Sequence, residues 1–118
     1  MYRLLAFLAL LALACPPARA ATITEPALLV PLGYCQLSVT TAVLVSTCSG
    51  GIPAGATFAY ITPETAAIRW RDDGTAPTTT VGNPVAVGQQ LTYGGLLSAL
   101  QVVAQAGTAT VNVSFYRY

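Results

Sequence analysis

The last stretch of this chain is the part with the least freedom to fold in more than one way. From residue 108 to 118 apolar and polar side chains alternate without a break. Ala109, Val111, Val113 and Phe115 fall on one side, and Thr110, Asn112, Ser114 and Tyr116 on the other. A repeat of two marks a strand with one buried face, because successive side chains in extended backbone point to opposite faces. A strand of that kind needs neighbours along its edges and a second layer over its dry face. The rest of the chain must supply them.

It supplies them in short pieces. Residues 57–62, with Phe58, Ala59, Tyr60 and Ile61, have strand composition and are broken by Pro63-Glu64-Thr65. Residues 66–71 alternate, with Ile68 and Trp70 on one side and Arg69 and Arg71 on the other. Asp72-Asp73-Gly74-Thr75-Ala76-Pro77 is a polar turn, where Asp caps the backbone and Gly supplies a positive φ. Further strands are expected at 85–87, 89–93 and 100–105; Gly94-Gly95 turns the chain, and 96–100 is a helical turn or a bend. Heptads, internal repeats and a clear amphipathic helix are all missing. Short strands separated by turn signals at this spacing predict an all-β domain, a small antiparallel sandwich or jelly-roll-like barrel.

The N-terminus has a different character. One cation at Arg3, an apolar run over 4–14, the helix breakers Pro16 and Pro17, and the small-x-small triplet Ala18-Arg19-Ala20 follow in the order of a secretory signal. The run falls short of the about 20 residues that a spanning helix needs. The expected organisation is a signal helix over 1–20 cleaved between Ala20 and Ala21, an extended arm over 21–34 containing Pro26, Pro31 and Gly33, and a single β domain over 35–118. Ala12-Leu13-Ala14-Cys15 is an imperfect lipoprotein box, which would instead start the mature chain at a lipidated Cys15. Either route makes the protein exported.

Two cysteines remain beyond the signal, Cys35 and Cys48, and an even pair in an exported chain reads as a disulfide. A hairpin turning at Thr41-Ala42 sets Cys35 opposite Cys48, within disulfide reach. Thr-Ala lacks the turn chemistry that two-residue hairpins favour, so a longer loop or a crossover between sheets is the alternative.

Charge excludes several functions. Charged residues make up 8% of the chain, and there is no His. After the signal the charges are Arg69, Arg71 and Arg117 against Glu25, Glu64, Asp72 and Asp73. No basic stripe exists to grip nucleic acid, and no polybasic patch to hold a membrane, which leaves the signal segment as the one membrane-directed feature. A soluble surface ordinarily carries about a quarter to a third charged residues, so a domain this poor in charge is expected either to hide surface against a protein partner or in a homo-oligomer, or to be a Thr-rich secreted domain that tolerates low charge.

Catalytic machinery is not expected. The usual general base is absent with His. Glu64, Asp72 and Asp73 are the carboxylates that a glycosidase or a calcium site would draw on, but Asp72 and Asp73 are adjacent and precede Gly74, which suits turn capping. No cofactor or metal is implied. Candidate contact residues are Arg69, Trp70, Arg71, Tyr93, Tyr116 and Tyr118. Trp70 between two arginines could stack on a sugar or a partner, or could be a core residue on the side of Ile68. Tyr93, Tyr116 and Tyr118 suit an interface, where Tyr is enriched. Asn112-Val113-Ser114 matches a glycosylation acceptor but lies inside a strand, and is read as chance.

The string A-I-R-W-R-D-D-G-T-A-P over 67–77, followed by Thr-rich residues, Gly82, Pro84, Gly88 and a closing G-T-A-T-V-N-V-S-F-Y, resembles a group of small proteins of tailed bacteriophages and prophages. In that group an R-[WY]-R-D-D-G-T-A-P-T turn precedes a terminal strand ending in aromatic residues. The resemblance covers roughly residues 52–118. It implies a non-enzymatic β domain of a virion, as a head decoration or a tail or fibre accessory. The signal segment and the Cys35/Cys48 pair depart from that pattern and suit export. The alternative expectation is therefore an exported binding module that recognises a glycan or a cell-surface ligand.

Overall fold

The computed structural model describes residues 28–118, and the statements below concern these. The expected signal segment, its expected cleavage between Ala20 and Ala21, Cys15 and the first part of the expected arm lie outside the described residues. The protein is an all-β sandwich of two antiparallel four-stranded sheets.

Its strands are β1 (Val30–Val39), β2 (Val43–Leu44), β3 (Phe58–Pro63), β4 (Ile68–Arg71), β5 (Asn83–Val85), β6 (Leu91–Tyr93), β7 (Gln101–Ala104) and β8 (Ala109–Arg117). Sheet A has the order β1-β8-β3-β6, and sheet B the order β2-β7-β4-β5. Except between β4 and β5, every step along the chain passes from one sheet to the other. Short 3₁₀ turns, Val45–Thr47 and Leu97–Ala99, round the two corners at β2 and β7.

The alternation in β8 appears as expected. Ala109, Val111, Val113 and Phe115 are buried against the opposing sheet. They meet Cys35, Leu37 and Val39 of β1, and Ala59 and Ile61 of β3, and from sheet B Ile68, Val85, Val102 and Ala104. Interdigitation of two such inner faces is what holds a sandwich of this size together.

Three local expectations are corrected. Residues 30–34, read as part of an extended arm, form the first half of β1 and pair with the end of β8. Pro31 and Gly33 do not prevent this, because β1 is an edge strand and the register shifts between them, the setting in which a strand accommodates such residues. Second, 35–48 is not a hairpin: β1 pairs with β8 in sheet A while β2 pairs with β7 in sheet B, so the chain crosses between layers at Thr41-Ala42. The disulfide Cys35–Cys48 nevertheless forms, with a Cα–Cα distance of 5.8 Å. It ties β1 to the residue just after the first 3₁₀ turn, closing that side of the sandwich. Third, the strand expected at 85–87 lies at Asn83–Val85, where Pro84 is tolerated because β5 is also an edge. Residues 86–89 form a turn instead, with Gln89 N–H donating to Ala86 O and the Gln89 side chain accepting from Ala86 N–H.

Candidate functional site

The R-W-R-D-D-G motif folds onto itself. Arg69 leaves β4 away from the core, and its guanidinium donates to Thr79 O at 3.2 Å and Gly82 O at 2.8 Å. It thus clamps the 78–82 loop against the strand. Gly82 is needed there: its φ is +134°, and a Cβ would meet Arg69 Cβ at 3.1 Å and Trp70 O at 3.2 Å. Trp70 faces inward and packs against the core, its ring edge-on to Tyr93 at 5.7 Å.

The rest of the motif closes the turn. Arg71 donates two hydrogen bonds to the Asp73 carboxylate, at 3.1 and 2.5 Å, and Asp73 also accepts from Thr75 N–H. The Arg71 hydrogen bonds hold Asp73 below the ordinary carboxylate range. Asp72 accepts from the Tyr93 hydroxyl at 2.8 Å. Burial, and after it the Asp72 carboxylate, push the Tyr93 phenol up to about 12. Gly74 takes the positive φ of +83° that the turn requires.

Of the candidate contact residues, Tyr93 is therefore placed in the core, 5% exposed. The register that pairs it with Ala59 turns both inward. Arg69, Trp70 and Arg71 are half-buried and have partners within the chain. Glu64, Asp72 and Asp73 do not converge, and among the described residues no group of three or more His, Cys, Asp or Glu could hold a metal ion.

Tyr116 and Tyr118 belong to a different assembly, on the outer face of sheet A. Phe58 pairs with Tyr116 in register, and since their neighbours Ala59 and Phe115 face the core, both rings face outward. Phe58, Tyr60 and Tyr116 form an edge-to-face cluster, with centroids 4.8 Å apart for Phe58–Tyr60 and 5.3 Å for Tyr60–Tyr116. Tyr118 leans on Phe58 at 5.9 Å. Phe58 is buried outside the main core, under the other rings, while Tyr118 stays 69% exposed.

A polar row runs beside the rings. Asn112 Oδ1 accepts from the Tyr34 hydroxyl at 2.5 Å and from Gln36 Nε2 at 3.1 Å, and Asn112 Nδ2 donates to Glu64 Oε2 at 3.2 Å. Three adjacent chain segments thus present one hydrogen-bonded line of neutral and acidic groups. Asn112, read from sequence as a chance glycosylation match, is the hub of it. Tyr34, Gln36, Phe58 and Tyr60 were not among the expected contacts. The signal for the last two lies in the alternation of 57–62, which puts Phe58 and Tyr60 opposite Ala59 and Ile61.

At one end of the sandwich is a cavity of about 500 Å³ lined by Ile52, Ala56, Thr57, Gly94, Gly95, Leu96, Leu97 and Ser98. It contains no ionisable side chain and so offers no acid, base or charged anchor. Gly95 has no room for a side chain, since a Cβ would meet the Tyr93 hydroxyl at 2.5 Å.

Comparison with known protein families, with curated proteins and with solved structures gives no match for this chain. The disulfide fits an oxidising, exported environment. No helix among the described residues is long and apolar enough to cross a membrane.

Proposed function

We propose that this chain is a non-enzymatic attachment module of a phage-type assembly, seated on a larger structure through the outer face of sheet A. The observation that carries the reading is the aromatic cluster of Phe58, Tyr60, Tyr116 and Tyr118. It gathers four rings on the side of the sheet turned away from the core. Grouped apolar rings left outside a core are typical of a surface that meets a partner. The resemblance of residues 67–77 to the phage group supports the type of assembly, and the scarcity of charge supports burial of that face. A head-decoration or a tail- or fibre-associated place both fit it.

The test is incorporation. Particles assembled with the wild-type chain are purified beside particles carrying Tyr60→Ser/Tyr118→Ser, and the chain is quantified by mass spectrometry. Loss of the variant from the particles, with its disulfide and circular dichroism intact, supports the reading. A wild-type chain missing from purified particles overturns it.

The polar row favours a second reading, an exported module that recognises a neutral glycan. Tyr rings offer faces to the C–H side of a sugar, and Asn112, Gln36 and Glu64 offer hydrogen-bond donors and acceptors beside them. A glycan array probed with the wild type and with Asn112→Ala decides it: selective binding lost in the variant supports recognition, and an empty array removes it.

A further inference from the structure

The four sheet edges of this sandwich are not alike. β2, β5 and β6 expose two or three residues each, and β5 carries Pro84. Short edges and edge prolines are ordinary ways of preventing strand pairing between molecules. β1 has neither protection over most of its length. It spans 10 residues, pairs with β8 on one side, and makes no backbone hydrogen bond to described residues on the other. It bears no charged side chain, and Pro31 lies at its start, beyond the register shift.

We infer that β1 is a pairing edge for a second copy of this chain, joined antiparallel about a two-fold axis at Gln36, so that the two sheets A become one continuous sheet. The uninterrupted part of the strand runs from Gly33 to Val39, and its middle residue is Gln36. An axis there sets Gln36 against Gln36 of the partner subunit and Tyr34 against Ser38 of the partner subunit on the outer face. No like charges oppose one another, and Pro31 falls outside the paired stretch. A second copy fits better than a foreign strand because the row is complementary to itself and carries no charge by which another partner could be selected. Charge also does not oppose dimerisation at large: Arg69, Arg71 and Arg117 balance Glu64, Asp72 and Asp73 over the described residues. Two-fold dimers with the same patch on both subunits are the commonest closed assembly. This inference is independent of the proposed attachment function, since it uses the edge of sheet A and not its aromatic face.

The test is sedimentation equilibrium of the oxidised mature protein over a dilution series, for the wild type, Gln36→Lys and Gln36→Glu. Residue 36 is exposed, so either substitution leaves the fold in place. The wild type is expected to sediment as a dimer. Each single variant sets like charges against each other on the axis and is expected to weaken association by about tenfold or more. An equimolar mixture of the two variants is expected to restore the dimer, which a misfolded variant could not do. Amide exchange at residues 34–38 should also slow as wild-type concentration rises. A monomeric wild type overturns the inference. So does a dimer indifferent to both charges but lost in Tyr60→Ser/Tyr118→Ser, which would place the contact on the aromatic face.

Discussion

In β4 and the turn after it, Arg69, Arg71, Asp72 and Asp73 each find a partner within the chain: a loop carbonyl, a carboxylate, a phenol and a guanidinium. On the outer face of sheet A, Tyr34 and Tyr118 remain more than half exposed, at 62% and 69%. The first region has the louder sequence, a run of charges around the single Trp. The second is written in alternate positions of three separate strands. Their difference shows that a dense motif can be spent entirely on its own fold. Rings that end in solvent keep a surface to offer a partner.

That contrast can be broken by substitution. The largest effect is expected at Trp70. If the motif serves the fold, Trp70→Ala lowers stability by about 2 kcal/mol, less than a fully buried aromatic because the ring is half-covered. Urea unfolding measures it, and an unchanged midpoint would return Trp70 to the surface. Gly82→Ala comes next, at about 1–2 kcal/mol, because alanine at a φ of +134° must also push against Arg69 and the Trp70 carbonyl.

Tyr93→Phe is expected to cost about 1 kcal/mol for the lost hydrogen bond to Asp72. It also has a signature in pH. The phenol is raised in the folded state from an ordinary value of 10.0 to about 12, so folding favours its neutral form. That contribution is complete below pH 10 and is lost as pH rises from 10 to about 12. Wild-type stability should fall across that window and the Phe variant should fall less. Equal slopes would mean that the phenol is raised neither by burial nor by Asp72. The smallest effect on stability is expected at Tyr118→Ser, within about 0.5 kcal/mol of wild type. The same substitution should weaken attachment, and a thermal melt beside the particle assay separates the two.

The fold was legible where its information is local. β8 declares both of its faces, and the pairing of Cys35 with Cys48 follows from the cysteine count. The route between those cysteines was not legible. β1 is held by β8, from the far end of the chain, and nothing near Thr41-Ala42 specifies whether the next strand stays in the same sheet. Tyr93 was grouped with the surface tyrosines for the same reason, because its inward direction depends on register with Ala59. The aromatic face was half legible. Tyr116 and Tyr118 end the best strand in the sequence, but Phe58, Tyr60 and Tyr34 join them only once three strands are set side by side.

The strand order of sheet A bears on how such a chain is made. β8 sits between β1 and β3, so until it is in place β1 has no hydrogen-bonding neighbour in its sheet and β3 has only β6. A chain arranged in this way cannot complete its sandwich before β8 has docked. Strand pairings so distant in sequence are also slow to form. Removing residues 109–117 would take away the inner strand that joins β1 to the rest of sheet A.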